Sequence, residues 1–151
     1  MSLRQLAAEA KWKHVGHHGR LLTPQEIRRI KKRGYEAERE LVKKLRVHSF
    51  KAMRIPVSAP SNEPLPDVFA TKGNCLLAFE VKSPRQDRAY FRKDQVQKLF
   101  DFLNLFSPYQ TKLAVLAAKF PYNWVFKVVD KSDDYVLRNK ERNTFNMEKL
   151  P

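Results

Sequence analysis

Glu80, Val81 and Lys82 close an apolar run, Leu76-Leu77-Ala78-Phe79-Glu80-Val81-Lys82, and a strand of that composition alternates its faces. Leu77, Phe79 and Val81 point one way, while Ala78, Glu80 and Lys82 point the other. A carboxylate and an ammonium therefore share one face, about 7 Å apart by strand rise. Alone, this is compatible with an ordinary surface ion pair. The preceding segment, Asp67 to Lys72, is joined to Cys75–Ser83 by Gly73-Asn74, a two-residue hairpin signal. With that loop, Lys72 pairs with Cys75, and Asp67 lies opposite Glu80 on the same face. Two adjacent carboxylates repel, and one is driven toward protonation unless a cation joins them. Hard Mg2+ or Mn2+ favours one or two carboxylates plus water and phosphate oxygen. A one-residue slip or bulge would instead separate the acids.

A third acid sits where a helix normally buries an aliphatic residue. At about 100° per residue, Leu41, Val42 and Leu45 fall within about 60° of Glu38. Glu36 and Glu40 fall on the polar side beside Lys43 and Lys44 and read as solvated. A carboxylate at the centre of an apolar face is costly unless paired. Its partner is either the same cation or a nearby arginine such as Arg54. Gln95 lies at the edge of a second apolar stripe formed by Val96, Leu99, Phe100, Leu103 and Phe106. Phe102 and Leu105 widen that arc beyond one core-facing side. Such a helix is buried on two sides by its own fold or meets another subunit, most simply in a symmetric dimer.

The positioning elements follow from local signals. Thr23-Pro24-Gln25-Glu26 is a helix start, with Thr as N-cap, Pro at the first turn and Glu reaching back. The helix runs through Ile27 and Ile30, with Gly34 as a candidate break, and a second helical stretch covers Tyr35 to Val47. Phe50–Val57 reads as a strand and 58–66 as a loop with Pro60, Pro64 and Pro66. After the hairpin, 84–90 reads as polar and mobile, and Phe91–Phe106 as a helix. Lys112–Phe120 and Asn123–Val129 read as strands split by Pro121. The last 20 residues stay largely unassigned. This order predicts one mixed sheet flanked by helices, with active-site rims after Val57 and Ser83.

The chain has 151 residues, with 30 Lys and Arg against 16 Asp and Glu, for a formal charge of +14. That excess points to a polyanionic partner, above all nucleic acid. Residues 1–33 carry nine Lys/Arg and two Asp/Glu, and 34–151 carry twenty-one and fourteen. The division suggests a basic extension, 1–33, and a principal domain, 34–151. Residues 1–20 read as a mobile or marginally helical arm, either clamping phosphates through counterion release or serving as a solvated tail. No apolar run approaches the roughly 18 residues of a membrane span. No secretory signal is recognisable, and the single Cys75 suits a reducing, cytoplasmic setting. His14, His17 and His18 could suggest zinc, but Cys75 is the only thiol and the tetrahedron lacks obvious ligands. Trp12 and Trp124 could stack on bases, although packing roles fit them better.

Pro66-Asp67 followed by Glu80-Val81-Lys82 matches the PD-(D/E)XK nuclease pattern. Together with Gly34-Tyr35-Glu36-Ala37-Glu38-Arg39-Glu40-Leu41-Val42, Arg54-Ile55-Pro56-Val57-Ser58 and Tyr90-Phe91-Arg92-Lys93-Asp94-Gln95-Val96, it closely resembles archaeal-type Holliday junction resolvases, a family also carried by viruses. The resemblance spans about Gly34 to Val129. It implies a restriction-endonuclease-like α/β fold and a homodimer that nicks two strands of a four-way DNA junction symmetrically. It makes Glu38, Asp67, Glu80 and Lys82 the catalytic set, with Gln95 auxiliary and Ser58 in the loop after the first strand. Ala59 stands where a glycine is common, and Pro60 follows. Asp67, Glu80 and the Val81 carbonyl would hold Mg2+, or Mn2+ in its place, with Glu38 on a second ion or its water. Neighbouring carboxylates favour the ammonium form of Lys82, so orientation and charge stabilisation suit it better than a base role. Phosphate contacts are expected from Arg39, Lys43, Arg54, Arg85, Arg88, Arg92, Lys93 and the arm. A small-molecule substrate is not expected. The competing readings are a repair or restriction-type nuclease of the same superfamily, and a non-catalytic DNA-binding protein.

Overall fold

The computed structural model describes residues 19–56 and 62–150. The arm to residue 18, with Trp12, His14, His17 and His18, lies outside the described residues, as do Val57, Ser58, Ala59 and Pro60. The chain groups into two units, 1–33 and 34–151. In the first, Thr23 N–H donates to Glu26 Oε2 at 2.7 Å and Glu26 N–H to Thr23 Oγ1 at 3.2 Å, the reciprocal cap expected from the sequence. Arg20 pairs with the same Glu26 carboxylate. Helix α1 then runs over Pro24–Val47 without a break at Gly34. A glycine costs a helix only about 1 kcal/mol, less than the apolar face that follows it returns.

In the second unit, Ala37, Glu38, Leu41, Val42 and Leu45 form the buried face of α1. The helix ends at Val47, Ser49 with φ of 68° turns the chain two residues on, and Phe50 N–H donates to the Leu45 carbonyl at 3.0 Å. Four strands follow, β1 (Lys51–Arg54), β2 (Val68–Lys72), β3 (Cys75–Lys82) and β4 (Arg88–Phe91). Helix α2 (Lys93–Leu103) precedes β5 (Thr111–Lys119), β6 (Trp124–Val129) and β7 (Tyr135–Arg138). The main sheet has the order β1-β2-β3-β5-β6, parallel only between β3 and β5.

Both faces of this sheet are covered, so β3 is buried continuously from Cys75 to Phe79. Leu77, Phe79, Val81 and Val115 pack with Leu41, Val42 and Leu45 of α1 and with Phe145 and Met147. On the other face, Leu76, Ala78, Ala114 and Leu116 meet Val96, Leu99, Phe102 and Leu103 of α2. Ala89, Phe91 and Leu137 join that layer from a separate ribbon, β4 paired with β7. This ribbon corrects the reading of 84–90 as mobile, and it takes Phe91 away from α2. Phe102 is buried and lies 5.5 Å, centroid to centroid, from Phe69 of β2, so the wide arc of α2 is filled largely by its own chain. Glu40 is not solvated surface either. It accepts from Trp124 Nε1 at 2.9 Å and from Lys119 Nζ, while Trp124 stacks on Phe126. The outer edge of β6 is closed by the C-terminal segment. Phe126 N–H donates to Asn143 Oδ1 at 2.9 Å, Val128 N–H to Thr144 Oγ1 at 2.8 Å, and Thr144 N–H to the Phe126 carbonyl at 3.0 Å.

Candidate active site

The β2–β3 hairpin keeps the register that its turn dictates, from Lys72↔Cys75 to Val68↔Phe79. Gly73 has φ 56°, which the first position of this two-residue loop assigns to glycine. The register stops one residue short of Asp67. Asp67 N–H donates to the Phe79 carbonyl at 3.0 Å, one position off the ladder, so a local slip does occur at the acid. It does not part the carboxylates. Asp67 Oδ2 accepts the Val81 N–H at 2.8 Å, which pins the side chain beside the end of β3. Burial pushes the Glu80 carboxyl up to about 8, with the adjacent Asp67 charge as the second cause. The Asp67 carboxyl is also raised by burial, against the Val81 N–H and the charges of Lys82, Arg54 and Lys98. Lys82 Nζ stands 3.9 Å from Glu80 Oε1.

Glu38 arrives from the other side of the sheet. Its helix packs on the face of Leu77, Phe79 and Val81, whereas Glu80 and Lys82 alternate with them toward α2. The carboxylate accepts from Arg54 Nε, and that guanidinium lies 4.5 Å over the Tyr35 ring. Burial and then the Asp67 charge raise the Glu38 carboxyl, while Arg54 and Arg39 oppose them. Of the two partners that the sequence offered Glu38, the structure shows Arg54, with Asp67 near enough for its charge to act on the same carboxyl. Arg54 is thereby engaged in the fold rather than displayed to a ligand.

The donor set suits a divalent ion in a particular way. Among the described residues, no three His, Cys, Asp or Glu side chains form a group that could hold a metal. A cage of three acids is therefore not preassembled, because Glu38 is taken by Arg54. Asp67 and Glu80 remain, two carboxylates whose mutual repulsion a cation would relieve, which is the sparse set that Mg2+ accepts with water. The Val81 carbonyl leaves β3 on the same side as the N–H that Asp67 holds.

Gln95 is occupied elsewhere: its Oε1 accepts the Arg92 N–H at 3.1 Å and caps α2. Arg39, Lys43, Arg85, Arg88, Arg92 and Lys93 are exposed. Arg92 is paired with Asp94 at 3.0 Å, and Lys93 N–H donates to Asp134. The sequence reading named Arg88 but not its ribbon neighbours Arg138 and Tyr90. Arg88 lies directly opposite Arg138, and Tyr90 directly opposite Val136, all four exposed. Like charges facing across a ladder are unfavourable until an anion joins them. It also missed Lys98, half-buried on α2, whose charge acts on both Asp67 and Glu80.

A family profile described as archaeal Holliday junction resolvase (Hjc) matches residues 29–150. The chain is 43% identical over 104 residues to a crossover junction endodeoxyribonuclease Hje of Saccharolobus solfataricus, covering 69% of this chain and 77% of that one. It is 47% identical over 97 residues to the Hje of Sulfolobus acidocaldarius, covering 64% and 68%. A crossover junction endodeoxyribonuclease of Sulfolobus islandicus rod-shaped virus 1 is 40% identical over 78 residues, covering 52% and 64%. Among solved structures, that of Archaeoglobus fulgidus Hjc, a Holliday junction resolvase, matches with a TM-score of 0.59 and 28% identity, over 70% of this chain and 88% of that one.

Proposed function

The chain belongs to the archaeal Holliday junction resolvase family, and on that premise we propose that it cuts four-way DNA junctions by paired symmetric nicks. The observation that carries the reading is the Asp67–Glu80 pair, two carboxylates held together beside Lys82 at the open end of a hairpin. Asp67, Glu80 and the Val81 carbonyl would hold Mg2+, with Mn2+ as a substitute. When bound, the ion supplies a water of lowered pKa and charge neutralisation at the phosphate. Lys82 orients the attacking water and offsets developing charge. Glu38, once exchanged from Arg54, adds a third carboxylate, and Ser58, outside the described residues, completes the proposed catalytic set. Gln95 contributes indirectly, by fixing the first turn of α2.

Junctions are recognised by shape and phosphate position rather than base edges. The ribbon face with Arg88 and Arg138, together with Arg39, Lys43, Arg85, Arg92, Lys93 and the basic segment 1–33, would track the arms. Paired nicks require two active sites, hence a second copy of the chain. No helix among the described residues is long and apolar enough to cross a membrane, and we place the enzyme in the cytoplasm with the DNA it acts on.

The decisive assay is cleavage of an immobile four-way junction, with flap and linear duplex as controls, with and without Mg2+. Wild type should give symmetric paired nicks only with the ion. Asp67→Asn, Glu80→Gln and Lys82→Ala should each fall by about 100-fold or more at unchanged junction affinity. Full cutting by these variants dismisses the site. Equal cutting of flap and duplex points to a repair or restriction-type nuclease, and tight binding with no cutting points to an architectural protein.

A further inference from the structure

Helix α2 brings a second ammonium to the carboxylate pair, and the placement follows from backbone geometry. Strands β3 and β5 are parallel, with Cys75 beside Thr111 and Lys82 beside Ala118. The chain between them must return, so α2 starts at the Glu80–Lys82 end and descends. Phe102 packs on Phe69, which is paired with Ala78. One turn back along α2 is about 6 Å, and two residues back along β2 is about 7 Å. Lys98 is one turn before Phe102 on the same side of the helix, and Asp67 is two residues before Phe69. Lys98 therefore stands over the start of β2. A helical side chain also leans toward the N-terminus of its helix, which carries this one toward Glu80. Leu99, next in sequence, is fully buried, and Gln97, on its other side, is exposed. Lys98 thus occupies the rim between core and solvent, where an ammonium reaches a bound ligand without losing its hydration entirely.

We infer that Lys98 is a catalytic cation of this site, meeting a non-bridging oxygen of the scissile phosphate from the α2 side while Lys82 acts from β3. The assignment rests on the nuclease reading above. The two ammonium groups differ in origin: Lys82 is fixed by strand register, whereas Lys98 is delivered by the crossover helix. With a divalent ion held by Asp67 and Glu80, a phosphate at that ion would come within reach of this ammonium. An ammonium aimed at charge that grows in the transition state contributes more to rate than to ground-state binding.

The test is single-turnover cleavage of a pre-bound junction in Mg2+ by wild type, Lys98→Gln and Lys98→Arg, with junction affinity measured in Ca2+ and thermal melts of all three. Lys98→Gln should lower the rate constant by about 100-fold and leave affinity within about threefold. Lys98→Arg, which keeps the charge, should recover to within about tenfold of wild type. Wild-type rates for Lys98→Gln overturn the inference while leaving the nuclease reading intact. So does a loss confined to affinity, a Lys98→Arg rate as low as that of Lys98→Gln, or a melting temperature lowered by more than about 10 °C. A wild-type protein that cuts no junction overturns the nuclease reading itself, and this inference with it.

Discussion

Replacing Glu80 by Gln should stabilise the metal-free fold in alkaline solution and do little in acid. The Glu80 carboxyl rises from 4.5 to about 8, because burial penalises its charge and Asp67 adds repulsion. A carboxyl that binds its proton more tightly in the folded chain contributes full stability below about 4.5, and that stability is lost as pH rises through about 8. The whole gap corresponds to at most about 5 kcal/mol. Since 14% of the Glu80 side chain is open to solvent and Lys82 is 3.9 Å away, a working value is about 2 kcal/mol. At about 3 °C per kcal/mol for a chain of this size, the variant should melt about 6 °C above wild type at pH 8.5 in chelator. At pH 5 the difference should shrink below about 2 °C. Calorimetric melts of both proteins at both pH values read this directly, and groups that titrate alike in the two proteins cancel. Replacing chelator by Mg2+ at ten times its Kd should raise wild type at pH 8.5 by about 1.4 kcal/mol and the variant by much less. The same gap between the proteins at both pH values would refute the claim that charge on Glu80 opposes folding.

Two other outcomes follow from the geometry. Arg88→Ala and Arg138→Ala should each reduce the slope of log affinity against log salt by about 0.9, and an unchanged slope in the double variant removes the ribbon from the DNA interface. Gly34→Ala should raise stability by about 1 kcal/mol, because apart from its chain neighbours and the nearby backbone of its own helix nothing lies within 4 Å of a Cβ placed there. Urea unfolding with unchanged m reads it, and a lower midpoint would mean that α1 is constrained at Gly34.

The parts of the site that were legible in the sequence are those fixed by short-range rules. Period-two alternation put Glu80 and Lys82 on one face, and the Gly73-Asn74 turn set the register that brings Asp67 near them. The slip at Asp67 was foreseen only as an alternative, because it depends on where β2 stops pairing rather than on composition. The helical period singled out Glu38, but its choice of Arg54 over the other acids depends on the distance between α1 and β1. The β4–β7 ribbon escaped notice because its strands have four residues each and pair across Arg88 and Arg138, far apart in the chain. Lys98 escaped for a related reason. A lysine on a helix reads as solvated surface, and it takes the direction of the crossover together with the Phe102–Phe69 contact to put it over the start of β2. The family resemblance puts Gln95 near the site, and the helical period leaves out that a residue three positions into a helix is also a capping partner, the bond the structure shows.

The tail stitches Asn143 and Thr144 onto β6 at one rim of the main sheet, and at the other rim the outward Ala52 carbonyl of β1 accepts from Arg46 Nε and Nη2 at 3.2 and 3.0 Å. Main-chain pairing with a neighbouring copy is thus discouraged on both flanks, which protects the sheet from growing into a filament. The β1 flank is also the one where Arg54 clasps Glu38, so the arginine that guards this edge sits on the helix that carries the third acid, and loosening either contact would disturb both.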